Sequence, residues 1–465
     1  MSDRSAPEIE DDRALIAVDL GAESCRVSLL RWRQEAAQIE VVHRFANGPE
    51  QRADGLRWNL DRIVDGVDEG LRQCAAIAKE GVRSIAVDGW AVDYVRLSED
   101  GAALQYPFCY RDPRSEMALQ ALHKRISAER LRELTGIQIQ ALNTVYQLYA
   151  DRLDDAWQAR WLNLPEYLLY LWGGEPVTER TNATHTGLVG LSGSWCEEIF
   201  AAAGLDIALA PRMVEAGTKV GIYRGTVTEL HGADLIAPCC HDTASAVAGI
   251  PAEGDDWAYI SSGTWSLVGS VLNTPCNSAE ASLVNFTNLG AGGSRILFHK
   301  GIPGMWLLRQ CMNTWGTDDV DNMIQKAGSA PSFGPDEWID VEDPNLVLPG
   351  DMPARIAAQR ERKHLRPVHE MHEMARLILD SLAGRYAAVL RAHEDITNKK
   401  LRQIYVVGGG SRNELLNRLT AEATGLDVKR GSMESSTIGN FVVQLAAGED
   451  DISAKNIAKW AARLT

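Results

Sequence analysis

Residues 14–32 read ALIAVDLGAESCRVSLLRW: an apolar run, Ala14 to Val18, closes on Asp19, Gly21 and Ser24, and a second apolar run resumes from Arg26 to Trp32. Two strand-like runs separated by a short turn of small and polar residues predict a β-hairpin. The device returns in the second half of the chain. Ala258 to Ile260 is apolar, Ser261-Ser262-Gly263-Thr264-Trp265-Ser266 follows, and Leu267 to Leu272 reads as the returning strand. Setting Gly21 over Gly263 also sets Ser24 over Ser266.

A second correspondence follows in the same order. Ser84 to Val87 is a buried-type strand leading into Asp88-Gly89-Trp90, and Gln403 to Val407 is one leading into Gly408-Gly409-Gly410. Two paired devices predict an internal duplication. Apolar residues recur at helical spacing over 60–80, 127–136, 370–393 and 412–424, and Asn413 is placed to satisfy free N–H groups at the start of the last. Strands alternating with helices in both halves give an α/β architecture. The expected division is a polar leader over 1–12 and two domains, 13–245 and 246–465, with the boundary between Gly232 and Trp257. The stretch 329–365, rich in Pro, Asp and Arg and without a sustained period, is expected to be an irregular surface excursion.

A chain of 465 residues is long enough for two large domains. It has no run of about 18 apolar residues, which argues against a membrane span. The acidic start carries no apolar secretory segment, so the expected location is cytoplasmic. A net charge of −16 without a basic block argues against nucleic acid as a partner. Eight cysteines without a CxxC pair are expected to be reduced and mostly buried.

The turn Asp19-Leu20-Gly21-Ala22-Glu23-Ser24 sets a carboxylate at a strand end beside exposed N–H groups. Such a turn can cradle an anion, and its Asp can hold Mg²⁺ through water; a plain hairpin tip is the other reading. Gly263-Thr264 repeats the device, and two such turns suit the β- and γ-phosphates of a nucleotide. Gly408-Gly409-Gly410 is neither GxGxxG nor part of GxxxxGK[ST]. Its glycines permit close approach of a ring or phosphate, or merely a tight packing turn. Asp242 stands at the start of a predicted helix, where capping is one explanation. Phosphoryl transfer to an alcohol, however, needs a carboxylate to take the hydroxyl proton, and Asp242 suits that task best because it neighbours a phosphate turn in sequence. The cluster His369-Glu370-Met371-His372-Glu373 lacks the i, i+4 histidine spacing of zinc proteases and reads as a solvated first helical turn. Trp90, Trp195, Trp265 and Trp306 fall near motifs, where sugars could stack, although tryptophans at such positions are mostly core.

Taken together, residues 17–27, 88–93, 110–114, 142–147, 164–170, 181–184, HDTASA at 241–246, WAYISSGTWSL at 257–267, GGGSRN at 408–413 and 434–440 resemble the FGGY carbohydrate kinases over nearly the whole chain. Within that family they are most similar to the branch that phosphorylates L-rhamnulose. The resemblance implies two actin-like, ribonuclease H-like domains with the active site in the cleft between them, and ATP, Mg²⁺ and a small-molecule sugar as ligands. Asp242 would be the general base, with Asp19 and Asp242 at the metal. Gly21, Ala22, Glu23, Ser24, Cys25, Gly263 and Thr264 would contact phosphates, and Arg309, Gly408, Gly409, Gly410 and Asn413 the rest of the nucleotide. Trp90, Ala91, His241, Asp242, Thr243 and Gly301 would lie against the sugar. Cys25 stands where the family usually has Gly, Gly301 where it has a sugar-touching Asn, and Arg309 where it has Gln. The expected reaction is L-rhamnulose to its 1-phosphate. The alternatives are the same chemistry on L-fuculose, xylulose, ribulose or a related deoxy-ketose, and an inactive sugar-binding or regulatory homologue.

Overall fold

The computed structural model describes residues 11–34, 36–153 and 159–465; apart from Asp11 and Asp12, the leader expected over 1–12 lies outside them. The chain divides into two units. Residues through Pro251 pack with Asn288–Ile296 and Ser436–Thr465, and Ala252–Thr287 packs with Leu297–Ser435.

In the first unit, β1 (Ala14–Leu20) pairs antiparallel with β2 (Ser24–Arg33), and β2 with β3 (Ala36–Ala46). On the other side of β1 runs β4 (Val82–Gly89), parallel to it. The sheet is completed by β5 (Thr218–Ile222) and β6 (Asp234–Ala237), in the order β5-β6-β4-β1-β2-β3. All seven residues of β1 are buried, which is why it reads as a continuous apolar run and not as an alternation. Helix Leu60–Ile77 begins where the Asn59 side chain accepts the Arg62 N–H. It turns Ile63, Val67, Leu71 and Cys74, all fully buried, inward. Gly70 lets it approach β2: a Cβ there would sit 2.5 Å from Val27.

The second unit repeats the frame. β7 (Trp257–Ser262) pairs antiparallel with β8 (Trp265–Leu272), while β10 (Gln403–Val407) runs parallel to β7 and β11 (Asp427–Arg430) parallel to β10. With β9 (Arg295–Pro303) beside β8, these strands run in the order β9-β8-β7-β10-β11 within a six-stranded sheet. Each unit thus has a central strand with its hairpin partner on one side and a later, parallel strand on the other. The four predicted helices are found at Leu60–Ile77, Ala128–Thr135, Met371–Thr397 and Glu414–Thr424. None of the eight cysteines forms a disulfide, and six of them are buried.

The segment 329–365 is not a surface excursion. Phe333, Ile339, Val341, Leu346, Met352 and Ile356 belong to the core of the second unit. Arg360, 1% exposed, donates to the carbonyls of Arg366 and Glu337. The period is missing because the stretch is mostly irregular: apart from the short 3-10 turns Pro335–Glu337 and Pro344–Leu346, only Met352–Arg362 is helical.

Candidate active site

Three carboxylates dominate the C-terminal ends of β1 and β4 in the first unit. Asp19 and Asp88 are in-register neighbours on these parallel strands, an arrangement of like charges that is unfavourable unless relieved. Relief comes from two directions. Arg26, opposite Asp19 across the hairpin, donates to Asp19 Oδ2 from Nη2 at 2.7 Å and from Nε at 3.0 Å, and the Ser436 hydroxyl donates to the same oxygen. Asp88, fully buried, accepts Asn440 Nδ2 at 2.6 Å. Burial first, and then the charge of Asp19, hold its carboxyl well above the usual range.

Ser436, Asn440 and Gln444 recur every four residues on helix Ser435–Ala447, so they share one face. Gln444 extends the stripe: it donates to Asn440 Oδ1 (2.8 Å) and to the Ile16 carbonyl (3.0 Å), and it accepts from Ser84 (2.6 Å). Gly439 makes the seat possible, because a Cβ there would lie 1.6 Å from the Ser245 carbonyl oxygen. Ser245 in turn donates to the Ser436 carbonyl at 2.9 Å. Sequence assigns these three polar residues no role; hydroxyl and amide side chains at fourfold spacing are the available signal.

Asp242 is the first residue of helix Asp242–Ala248, and the capping position belongs to His241. The Asp242 side chain remains 39% accessible. Burial by the surrounding protein, followed by the negative charge of Asp19, pushes its pKa up to about 7, against the lowering effect of Thr243 and Arg26. Thr243 Oγ1 donates to Asp242 Oδ1 at 3.2 Å, and His241 Nε2 lies 3.2 Å from the same oxygen. Backbone bonds knit this segment to the strand ends: Gly89 N–H donates to the Cys240 carbonyl (2.9 Å) and Trp90 N–H to the Leu20 carbonyl (3.1 Å). Asp19, the β1–β2 turn, Trp90, Ala91 and residues 241–243 are therefore brought together.

Within that turn, Gly21 closes the chain on itself: a Cβ would meet the Ser24 carbonyl oxygen at 2.3 Å. Asn47 braces it, donating Nδ2 to Gly21 O and its N–H to Glu23 O, both at 2.9 Å. Gly21, Ala22 and Ser24 are half-buried and Glu23 is exposed. The Cys25 thiol faces inward toward the Gly21 carbonyl, pushed up to about 12 by burial first, so this residue can offer a ligand only its main chain. Trp90 is a wall and not a stacking platform: it is 7% exposed, its ring centroid lies 4.4 Å from that of Trp58, and its N–H donates to Asp93 at 3.0 Å. Ala91 is equally buried, and Val92 beyond it has φ +73°, a strained value for a β-branched residue. Thr144 (2.7 Å) and Gln147 (3.3 Å) hold the Val92 carbonyl.

The second unit's candidates gather around the β7–β8 turn. Gly263 O accepts Met305 N–H (3.0 Å), and Thr264 O accepts Gly304 and Trp306 N–H (3.0 and 3.1 Å), which pins helix Trp306–Trp315 to the turn. Gly408, at φ +81°, and Gly410 press against Ser262; Cβ atoms would lie 3.0 Å from its carbonyl oxygen and 2.1 Å from its hydroxyl, respectively, whereas one on Gly409 would meet nothing. Thr264 and Arg309 are exposed. Asn413 is buried and caps helix Glu414–Thr424, accepting Leu416 N–H at 3.0 Å. Gly301 is half-buried on β9.

Among the described residues no group of three or more His, Cys, Asp or Glu forms a metal cage. His369 and Glu370 are exposed at the start of their helix, and His372 and Glu373 half-buried. Mg²⁺ bound with substrate phosphates takes only one or two carboxylates and keeps several waters. Asp19 and the accessible Asp242 suit that donor set, and the effect of the Asp19 charge on Asp242 is one a cation would relieve.

Models of the FGGY family of carbohydrate kinases match the chain at both ends of its length: the N-terminal domain model over residues 14–249 and the C-terminal domain model over 258–448. The rhamnulokinase of Enterococcus faecalis is 37% identical over 449 residues, 94% of this chain and 90% of that one. The rhamnulokinase of Bacteroides thetaiotaomicron is 36% identical over 445 residues, 93% and 90% of the two chains. Among solved structures, a ligand-bound xylulose kinase from Lactobacillus acidophilus superposes with a TM-score of 0.79 at 16% identity, covering 96% of this chain and 92% of that one. The Plasmodium falciparum glycerol kinase with ADP gives 0.77 at 12% identity with the same coverage. These two likenesses concern the fold. Among the described residues, no helix is long and apolar enough to cross a membrane.

Proposed function

The chain belongs to the FGGY family of carbohydrate kinases, and from that premise we propose that it transfers the γ-phosphoryl group of ATP to O1 of a ketose, L-rhamnulose first, with Asp242 as general base. The observation that carries the assignment is the state of Asp242: a reachable carboxylate whose proton affinity is raised to about 7, where a base can take a proton and still be largely ionised at slightly alkaline pH. The rhamnulokinases among its relatives support the choice of sugar.

Asp242 accepts the hydroxyl proton as the sugar oxygen bonds to the γ-phosphorus and the bond to the β-phosphate oxygen breaks, releasing ADP. Thr243 and His241 orient the carboxylate, while Trp90 and Ala91 wall the acceptor. Main-chain N–H groups of the β1–β2 turn would take phosphate oxygens. Asp19 and Asp242 would hold Mg²⁺, which when bound neutralises charge developing on the phosphoryl oxygens.

A second reading keeps the chemistry and changes the ketose. Gly301 offers no side chain where the family pattern has Asn, and a lost sugar hydrogen bond is worth about 1 kcal/mol, enough to alter preference. Coupled ADP release over a panel of ketoses and polyols tests both: the highest turnover is expected with L-rhamnulose, a different preferred ketose selects the second reading, and turnover confined to non-ketose acceptors overturns both.

A further inference from the structure

The stretch Cys239 to His241 carries Asp242, and its backbone is held by side chains on one flank. Gly89 binds the Cys240 carbonyl from β4. On the other flank the Cys240 N–H donates to Glu179 Oε2 at 2.9 Å and the His241 N–H to Thr181 Oγ1 at 3.0 Å. Glu179 caps helix Arg180–His185, its Oε1 accepting the Thr181 N–H at 3.0 Å, and the Thr181 hydroxyl donates to Glu179 Oε2. From the last residue of the same helix, His185 Nε2 stands 3.1 Å from His241 Nδ1. Beneath it, Glu166 fixes the platform by accepting the Glu179 N–H and Asn182 Nδ2, each at 2.9 Å. Glu166, Glu179, Thr181 and Asn182 are at most 1% exposed.

The arrangement has a cost and a purpose. Burying carboxylates is unfavourable, and a well-packed apolar residue often serves stability as well or better. What apolar residues cannot do is accept the successive N–H groups of Cys240 and His241. Those peptides set the position of a base that begins a helix of only seven residues, too short to hold itself. We propose that Glu179 and Thr181 are positioning residues for Asp242: a side-chain clamp on the Cys240 and His241 peptides that fixes where the base meets the acceptor hydroxyl. Neither touches the reacting atoms. The inference rests on the kinase reading and on Asp242 as its base.

The test uses the full chain and ADP release with the preferred ketose. Wild type and Asp242→Asn come first; absent turnover in the wild type, or full turnover in Asp242→Asn, sinks the underlying reading and not the clamp. Thr181→Val keeps the shape and removes the hydroxyl; kcat is expected to fall about 10- to 100-fold, as a small misplacement of a reacting group does, with KM for ATP within about twofold. Thr181→Ser should recover to within about threefold of wild type. In the Asp242→Asn background, Thr181→Val should add less than about twofold, because a residue acting through the base has nothing left to place. Undiminished kcat in a folded Thr181→Val, a loss that serine does not restore, or the full loss recurring without Asp242 each overturn the clamp. If the valine variant does not fold, Glu179→Gln, which sets an amide against a donor, is read by the same kcat and double-variant comparison.

Discussion

The β1–β2 turn of the first unit and the β7–β8 turn of the second hang on the same strand frame, yet their surroundings differ. Around the first stand Asp19, Asp88, Asp242 and Arg26, linked by charge and by hydrogen bonds from helix Ser435–Ala447. Around the second stand Ser262, Gly263, Thr264 and the glycines at 408 and 410, held by main-chain bonds and by contacts too close for a Cβ. The same strand frame thus carries linked titratable groups in the first unit and close backbone packing in the second. Titratable groups should therefore govern rate in the first unit, and steric fit should govern integrity in the second.

The strongest way to break this contrast is Asp242→Asn. On the proposed role of Asp242 as general base, kcat should fall about 10³-fold while folding and nucleotide binding persist, checked by ADP release and nucleotide titration. Next comes Asp19→Asn. Because the Asp19 charge raises the Asp242 pKa, its removal should lower that pKa. In the wild type, kcat/KM should fall as pH drops through about 7, the base being protonated below it. In the variant this acid limb should move to lower pH, with kcat reduced about 10²-fold through loss of a proposed Mg²⁺ ligand. An unmoved limb would separate the two carboxylates.

In the second unit the expected effects are on stability. Gly410→Ala drives a methyl into Ser262 and should cost about 1–3 kcal/mol in denaturant unfolding, the usual range for overpacking. Gly409→Ala, facing open space, is the smallest effect expected, within about 0.5 kcal/mol. Equal losses at the two positions would show that the triple glycine is required for something other than its fit to Ser262.

Much of this was legible in the chain. Continuous apolar runs announced β1 and β7 because strands buried on both faces have no polar alternation to hide them. The glycine turns announced themselves because close backbone approach restricts residue type. Asp242 could be nominated because phosphoryl transfer needs a carboxylate beside a phosphate turn. Trp90 shows the limit of such reasoning: its place in the motif was readable, but its burial against Trp58 and its bond to Asp93 were not.

What only the tertiary structure decided are the pairings across long separations. Ser84 meets Gln444 from 360 residues away and Asp19 meets Ser436 from 417; Cys240 finds its acceptor 61 residues earlier, in Glu179. The aperiodic stretch 329–365 likewise revealed its core role only once Phe333, Ile339 and Met352 were seen against their neighbours. Local periodicity and turn chemistry are written in adjacent residues, so a linear reading recovers them. The proton affinity of Asp242 and the peptides that hold it depend on burial and on charges that become neighbours only when the chain has folded.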